Sequence, residues 1–330
     1  MDEKTKVAVI GARGIGKHHA KWHHLSGAEV VAFVGTSEET CRATAKELRA
    51  LFDFRGRAYW DVAAMLEQER PDVVDVCSPP DLHKTHTLMA LEAGAHVLCE
   101  KPLVWDEAMS SAQMRTEGEE MVRAAKARRK LLGICTQYIS AIAPYRRIYE
   151  EMRGPMKEVR SFFMLIESKG KPWRKRERIW LDLASHPLSV LLGWIPDAQL
   201  DPGTVRGAIE ADRVWAAFEV LAEESQEDAS DRPIQVEIHT ANSATPQRRL
   251  GVNDLLVEVE GHNDADGVFR TVLRYGGKEW MIKDFMHTTI RGFLSAIRKN
   301  DPALVPASGK MGLKNLALQL KVQEALQCLR

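Results

Sequence analysis

Short runs of β-branched and apolar residues alternate with helix-like segments along the first part of the chain. The strand-like runs are Lys6–Gly11, Glu29–Gly35, Asp72–Ser78, His96–Glu100 and Leu131–Thr136. The segments between them repeat apolar residues at the spacing of a helix. Strands that are apolar on both faces and are joined by helices favour a parallel sheet covered by helices on both sides. Right-handed crossovers then predict a doubly wound α/β domain over residues 1–136.

A second pattern follows, in which strand-like runs come one after another. They are Glu158–Glu167, Val214–Leu221, Ile234–Thr240, Leu255–Glu260, Val268–Tyr275 and Glu279–Ile282. Tyr275–Lys278, with two glycines at its centre, is a hairpin signal. Helical spacing recurs in Ile142–Met152, Trp180–Trp194, Lys283–Arg298 and Lys310–Leu329. Residues 137–330 therefore predict an α+β domain with a large open mixed or antiparallel sheet, with Ala222–Pro233 as an acidic loop.

Composition excludes several classes of partner. The chain has 330 residues, with 46 Lys and Arg against 46 Asp and Glu, so no net basic charge attracts a nucleic acid. No apolar run approaches the ~20 residues of a membrane-spanning helix, and no leader-like apolar segment precedes the first strand. The five cysteines form no CxxC pair, which is typical of reduced cytoplasmic thiols. We expect a cytoplasmic protein with no nucleic-acid partner, no membrane partner and no metal.

A glycine-rich turn joins the first strand to the first helix. It reads Gly11–Ala12–Arg13–Gly14–Ile15–Gly16, with Arg13 where a regular GxGxxG turn has its second glycine. Such a turn lets the backbone approach a pyrophosphate, and the helix N-terminus presents free N–H groups to it. The alternative is a tight turn that binds nothing, but the strand before it and the helix after it favour a dinucleotide site.

The end of the second strand indicates which dinucleotide is bound. An acidic residue there binds the ribose 2′-hydroxyl of NAD, whereas NADP needs a cation for its 2′-phosphate. Here the strand ends in Gly35–Thr36–Ser37 without a carboxylate. Arg13 and Arg42 offer positive charge, although Glu38 lies close by. The pattern favours NADP, and NAD remains the alternative.

Three further motifs resemble those of one enzyme family. They are Ser78–Pro79–Pro80–Asp81–Leu82–His83, the segment from Ala95 to Glu100–Lys101–Pro102, and Asp182 followed by His186. With the glycine turn and His19, they resemble the glucose–fructose oxidoreductase, inositol dehydrogenase and rhizopine-catabolism (Gfo/Idh/MocA) family. The resemblance implies a Rossmann domain, a nicotinamide-dependent dehydrogenase acting on a sugar or polyol, and a homo-dimer or homo-tetramer. It adds Ser78, Pro79, His83, Glu100 and Lys101 to the expected cofactor site.

The catalytic candidates are Lys101, Asp182 and His186. Lys101 follows a parallel strand, where an ammonium can stabilise charge that develops on a substrate oxygen. Its alternative is a surface ion pair with Glu100. Asp182 and His186 are four residues apart, which on a helix places them on one face, and the resemblance implies that His186 is the general acid/base with Asp182 and Lys101 assisting. Their alternative is an ordinary helix pair, and Pro187 either starts or kinks the helix.

Some segments depart from the family pattern. Gly133–Tyr138 replaces a segment that contacts substrate or nicotinamide in relatives, and the basic stretch Lys169–Arg178 either holds a substrate anion or is a solvated loop. Two other functions therefore stay open, a nucleotide-bound regulator without turnover and a redox-assisted glycosidase. Of the histidines in the first helix, we expect only His19 near the cofactor and the other three, His18, His23 and His24, at the surface without carboxylate partners.

Overall fold

A computed structural model describes residues 4–170, 177–222, 232–265 and 267–329. The chain forms two compact units, each made of two stretches of sequence. The first contains residues 1–137 and 286–314, and the second contains residues 138–285 and 315–330. The sequence prediction assigned residues 286–314 to the second domain, whereas the structure includes them in the first unit.

The first unit is built on a six-stranded parallel sheet. Its strands are β1 (Lys6–Ile10), β2 (Glu29–Val34), β3 (Arg57–Tyr59), β4 (Val73–Val76), β5 (His96–Glu100) and β6 (Leu132–Cys135). Their order is β3-β2-β1-β4-β5-β6, which confirms the doubly wound topology. Because all strands are parallel, the loops after them meet at one edge, where such sheets bind ligands. The chain reverses its direction of winding between β1 and β4, at the glycine turn.

Five helices connect these strands. They are α1 (Gly16–Leu25), α2 (Glu38–Phe52), α3 (Val62–Glu69), α4 (His83–Glu92) and α5 (Ser111–Ala127). Side chains of Ser37, Asp61 and Ser110 accept backbone N–H bonds at the starts of α2, α3 and α5, which is the common way to satisfy a helix N-terminus. The start of α1 has no such side-chain cap, and this difference bears on the site.

The second unit contains an eight-stranded mixed sheet. Its strands are β7 (Ser161–Ser168), β8 (Gln199–Ile209), β9 (Arg213–Leu221), β10 (Ile234–Asn242), β11 (Arg248–Val252), β12 (Leu255–Asn263), β13 (Phe269–Tyr275) and β14 (Lys278–Lys283). The order is β14-β13-β12-β11-β7-β10-β9-β8. Within the described parts of this unit, β7 and β10 pair in parallel and the other pairs are antiparallel. The predicted α+β fold with an open mixed sheet is confirmed, and so is the hairpin at Tyr275–Lys278.

Helices cover one face of this sheet. They are α6 (Ile142–Arg153), α7 (Glu177–Leu183) and α8 (Ser185–Trp194). Strands β9 and β10 alternate buried and more exposed side chains, so the core lies on one side. The fully buried Tyr145 of α6 donates its hydroxyl to Leu255 O at 2.5 Å and accepts the Val252 N–H at 2.7 Å.

Two more helices lie near the end of the chain, α9 (Phe285–Arg298) and α10 (Gly309–Cys328). Helix α10 begins in the first unit and ends in the second. Among the described residues, no helix has the length and apolarity needed to cross a membrane. The predicted acidic loop, Ala222–Pro233, lies almost entirely outside the described residues, as does most of the basic stretch Lys169–Arg178.

Candidate active site

The glycine turn lies at the carboxyl end of β1, and two of its glycines are required by space. Gly11 has a φ of +90°, and a Cβ there would lie 2.5 Å from the carbonyl oxygen of Cys77. A Cβ on Gly16 would lie 2.5 Å from the carbonyl oxygen of Gly11. Both distances are shorter than any real contact, so the turn sits directly against the end of β4.

The turn also fits a pyrophosphate. Helix α1 begins after Ile15 without a side-chain cap and without an acidic residue in its first turn, so its first N–H groups and its partial positive charge are available to an anion. A Cβ on Gly14 would meet no protein atom within 4 Å, which leaves the space beside the turn open. Arg13, Gly14 and Ile15 are exposed there. These residues suit the phosphates of a dinucleotide.

The predicted ribose-binding residues lie between β2 and α2. The Ser37 hydroxyl caps α2 by accepting the Thr40 N–H at 3.3 Å, and Thr36 Oγ1 lies 3.2 Å from Thr40 Oγ1. Arg42 donates to Glu38 Oε1 at 2.6 Å, with both side chains exposed. Of the two cations expected to bind a 2′-phosphate, Arg13 and Arg42, Arg42 is therefore paired with the carboxylate that would oppose it.

Ser78 and Pro79 follow β4, and His83 joins them to the neighbouring strand. The ring nitrogens of His83 lie 2.9 Å from Ser78 O and 2.8 Å from Pro102 O. Burial lowers the pKa of His83, so its neutral ring donates to one carbonyl at a time. The His83 side chain is 1% exposed, and this geometry gives it a role in fixing the two turns; contact with a cofactor stays a prediction.

Glu100 and Lys101 stand at the carboxyl end of β5. Glu100 is the last residue of that strand and is buried, whereas Lys101 is half-buried. Strands β1, β4 and β5 are neighbours. The structure therefore brings the glycine turn, Ser78 and Lys101 to one edge of one sheet, as the sequence predicts for a cofactor site.

A buried carboxylate–imidazole cluster lies beside this edge and consists of His19, His23, Asp75 and Glu100. Asp75 Oδ2 is 2.9 Å from His19 Nδ1 and 2.7 Å from His23 Nε2. His19 Nε2 is 3.1 Å from Glu100 Oε1, at the distance of an ion pair but without the alignment of a hydrogen bond. The expectation that His23 is a surface residue without a carboxylate partner was wrong, because His23 and Asp75 are fully buried.

The charges in this cluster shift the pKa of its members. Burial lowers the pKa of His19, but the Asp75 carboxylate outweighs it, and the net pKa lies well above its ordinary value. Burial raises the pKa of Asp75, but His19 and His23 reverse this, and the net pKa is far below its usual range. Both groups are therefore charged at neutral pH.

Donor atoms in this region are also close enough to be considered as metal ligands. Two overlapping sets occur among the described residues, His19 with Asp75 and Cys77, and His19 with Glu100 and Cys135. Burial raises the pKa of Cys77 and that of Cys135, the latter to about 11, so both thiols are protonated. We assign the region to hydrogen bonding and ion pairing, and the absence of a metal stays a prediction.

Asp182 and His186 belong to the second unit and flank a break between two helices. Asp182 lies in the last turn of α7, and His186 is the second residue of α8. A single helix over Trp180–Trp194 was therefore a wrong prediction. Pro187 falls in the first turn of α8, where a backbone N–H is not needed. His186 is 7% exposed, and its ring lies 5.1 Å from that of Tyr138.

The side-chain amides of two buried residues of α10 donate hydrogen bonds to residues on both sides of this break, and the sequence prediction did not include them. Asn315 Nδ2 donates to Ser185 O at 2.8 Å and to Ser189 Oγ at 2.9 Å. Gln319 Nε2 donates to Leu181 O at 2.9 Å and to Trp180 O at 3.2 Å. Leu181 O is one of the carbonyls that the end of α7 leaves without an intrahelical partner, whereas Trp180 O also accepts the Ala184 N–H at 2.7 Å. The available signal was two amides four residues apart on the buried face of a helix.

Comparison with known protein families gives a match to most of the N-terminal stretch of the first unit. Residues 5–134 match the oxidoreductase family with an NAD-binding Rossmann fold, Gfo/Idh/MocA. This part of the chain is therefore similar to the Gfo/Idh/MocA family. The match includes the glycine turn, the Ser78–Pro79 turn and Lys101, so the resemblance inferred from those motifs is confirmed.

Curated relatives of the Gfo/Idh/MocA family match a limited part of the chain. The D-glucoside 3-dehydrogenase of Escherichia coli is 45% identical over 101 residues, which is 29% of this chain and 27% of that protein. The glucose-6-phosphate 3-dehydrogenase of Bacillus subtilis is 26% identical over 182 residues, 54% of this chain and 47% of that protein. The chain thus spans about a quarter to a half of the length of these relatives.

Solved structures share the whole fold. A UDP-N-acetylglucosamine 3-dehydrogenase from Acidithiobacillus ferrooxidans aligns with a TM-score of 0.73 over 99% of both chains at 21% identity. An inositol dehydrogenase homologue from Azotobacter vinelandii, complexed with NADH and myo-inositol, aligns with a TM-score of 0.70 at 15% identity, over 99% of this chain and 97% of the other. At these identities the likeness establishes the fold of both units.

Proposed function

We propose that the protein is an NAD(P)-dependent oxidoreductase that moves a hydride between a nicotinamide and a carbinol carbon of a sugar, polyol or related substrate. One observation carries the proposal. The uncapped glycine turn after β1 and Lys101 after β5 share the carboxyl edge of one parallel sheet, where Rossmann domains bind their dinucleotide. The match of residues 5–134 to an oxidoreductase family with an NAD-binding Rossmann fold supports it.

The dinucleotide supplies the hydride chemistry when it is bound. Gly11, Gly14 and Gly16 would let the backbone approach its pyrophosphate, with Arg13 and Ile15 beside it. Thr36, Ser37 and Arg42 would contact the adenosine ribose. We retain the preference for NADP over NAD as part of the proposal, since β2 ends without a carboxylate, but the pairing of Arg42 with Glu38 limits how strong this preference is.

The chain's own residues would handle the proton. The Lys101 ammonium would donate to the substrate oxygen and stabilise negative charge on it. His186 would accept or return the hydroxyl proton, since an imidazole does so near neutral pH. Asp182 would orient the histidine or the substrate. Tyr138, whose ring lies 5.1 Å from that of His186, would limit the directions that the imidazole can adopt.

The proposed substrate class is inferred from the names of the matching proteins. The proteins that match include dehydrogenases named for D-glucoside, glucose 6-phosphate and inositol. We therefore propose a secondary hydroxyl on a six-membered sugar or polyol ring, and the 3-hydroxyl of a glucoside is the first to test.

The test is a hydride-transfer assay on glucosides, sugar phosphates and inositols with both cofactors. Lys101→Met and His186→Ala should each lower kcat by about 10²-fold or more, because each removes a proton-handling group. Lys46→Met, which removes an exposed lysine of α2, should leave kcat unchanged. A double Lys101→Met/His186→Ala variant with full activity would contradict the assignment.

Two outcomes would favour the other functions. Tight dinucleotide binding without hydride transfer to any substrate would favour a regulator. Cleavage of a glycoside without net change in the oxidation state of the cofactor would favour a redox-assisted glycosidase. Stoichiometric formation of reduced cofactor is the result that the proposal predicts.

A further inference from the structure

The buried carboxylate–imidazole cluster connects three elements that form the proposed cofactor site. His19 and His23 come from α1, which begins at the glycine turn. Asp75 lies in the middle of β4, and Glu100 ends β5 just before Lys101. None of the four is more than 8% exposed. A cluster in this position connects helix α1, which begins at the glycine turn, to the end of strand β5, which Lys101 follows.

His19 is the centre of the cluster because a carboxylate faces each of its ring nitrogens. Asp75 Oδ2 lies 2.9 Å from Nδ1, and Glu100 Oε1 lies 3.1 Å from Nε2. Only the doubly protonated ring carries a proton toward both carboxylates. The raised pKa of His19 agrees with this state.

Asp75 is itself fixed by a second imidazole. His23 Nε2 lies 2.7 Å from Asp75 Oδ2, the same oxygen that faces His19. The remaining carboxylate oxygen, Oδ1, accepts from the thiol of Cys77 at 3.3 Å. Asp75 therefore has little freedom to rotate away from His19.

Glu100 completes the connection to the next residue. Its Oε1 faces His19, while its Oε2 accepts the backbone N–H of Lys101 at 3.3 Å. The other groups facing His19 are the protonated thiols of Cys77 on the β4 side and Cys135 on β6. A fixed Glu100 carboxylate thus orients the peptide that leads into Lys101.

We propose that Asp75 is a positioning residue for Lys101. It holds His19 as an imidazolium, His19 holds the Glu100 carboxylate, and Glu100 holds the backbone of Lys101. The functional part of this inference rests on the proposed function, in which the Lys101 ammonium contacts the substrate oxygen.

The experiment compares wild type with Asp75→Asn and with Val74→Ala as control. Val74 is the fully buried neighbour in the same strand, and truncating it loosens the core without removing a charge. Nitrogen-15 NMR of the histidine rings should show both nitrogens of His19 protonated at neutral pH in wild type and Val74→Ala, and one in Asp75→Asn. Exchange of the Lys101 amide hydrogen should be faster in Asp75→Asn alone.

Kinetics provide a second readout. In Asp75→Asn, kcat should fall by about tenfold to a hundredfold, as expected for a small displacement of a reacting group, while the KM for the substrate changes little. Glu100→Gln, which breaks the last connection and leaves the Asp75–His19 pair intact, should lower kcat similarly and provides the test if Asp75→Asn does not fold.

The proposal is overturned if His19 has a single ring proton in wild type, or if Asp75→Asn keeps both the slow Lys101 exchange and the wild-type kcat. A wild type without turnover on any substrate would contradict the proposed function instead. The NMR and exchange measurements would then still decide whether Asp75 orients Lys101.

Discussion

Asp75 is an ionised side chain in the middle of a strand whose other residues are valines. All four residues of β4 are buried, and a lone carboxylate there would cost several kcal/mol. The imidazoles of His19 and His23 offset that cost, so the charge is retained where an apolar side chain would be expected. The sequence alone showed His19 and His23 four apart on a helix, but it could not show that a residue 52 positions after His23 meets both.

This pair of charges predicts a pH dependence of stability. The folded pKa of His19 is raised above its ordinary 6.5, so its contribution is complete below that pH and is lost as the pH rises through the folded value. The folded pKa of Asp75 is lowered from 3.8, so the same interaction is lost when the pH falls well below that value. Urea unfolding should give a free energy that declines above pH 6.5 in wild type and Val74→Ala, and declines less in Asp75→Asn. Equal slopes in all three proteins would contradict the ion pair.

Glu38 is the residue that we expect to limit NADP binding. Its carboxylate accepts from Arg42 at 2.6 Å, which neutralises one of the two cations proposed to contact the 2′-phosphate. Glu38→Gln should release Arg42 and lower the Kd for NADPH by about threefold to tenfold, while the Kd for NADH stays unchanged. This corresponds to ~1 kcal/mol, the contribution typical of an exposed charge pair. Competitive titrations of the two reduced cofactors measure this ratio, and Glu39→Gln on the exposed next position is the matched control. An equal effect of both variants would argue against a specific role for Glu38.

The break between helices α7 and α8 is stabilised by side chains of α10, a helix far away in sequence. Gln319 is fully buried and donates to two carbonyls at the end of α7. Gln319→Leu should lower the free energy of unfolding by about 1–3 kcal/mol, since Leu181 O would lose this buried donor, although Trp180 O would keep the Ala184 N–H. Urea unfolding measures the loss, and Gln327→Leu, an exposed glutamine on the same helix, should change it little. A stable Gln319→Leu variant would mean that the break does not need the amide.

The elements that the sequence predicted are those with a strong local pattern. The parallel strands and the Gly276–Gly277 hairpin follow from apolar runs and from glycines that adopt positive φ. Strand β8 was missed because it contains Asp201–Pro202–Gly203, a turn signal. It lies at the sheet edge with a register shift after Asp201, where proline is tolerated. Strands β3 and β11 are short and begin with arginine, so only pairing with longer neighbours makes them strands.

The candidate site was predictable in its cofactor half and less so in its catalytic half. The glycine turn, Ser78 and Lys101 follow strands of one parallel sheet, and topology alone brings them to one edge. Asp182 and His186 were expected on one continuous helix, yet they flank a break held by Asn315 and Gln319. Side chains that are far apart in sequence and meet only after folding leave no local pattern.

The whole chain combines a unit similar to the NAD-binding Rossmann domain of the Gfo/Idh/MocA family with a second unit built on a large mixed sheet. The expected homo-dimer or homo-tetramer stays a prediction, to be measured by light scattering of the purified protein.

Fluorescence titration with NADH and NADPH measures whether the turn beside β1 holds a nicotinamide dinucleotide, as we propose. Gly14→Val places a side chain in open space, so thermal unfolding should be unchanged. Binding should nevertheless weaken by about tenfold or more, ~1.4 kcal/mol. We predict saturable binding of both cofactors to wild type, with NADPH bound more tightly, and weaker binding to Gly14→Val. Absence of binding of either cofactor to wild type, or equal binding to a folded Gly14→Val variant, would contradict it.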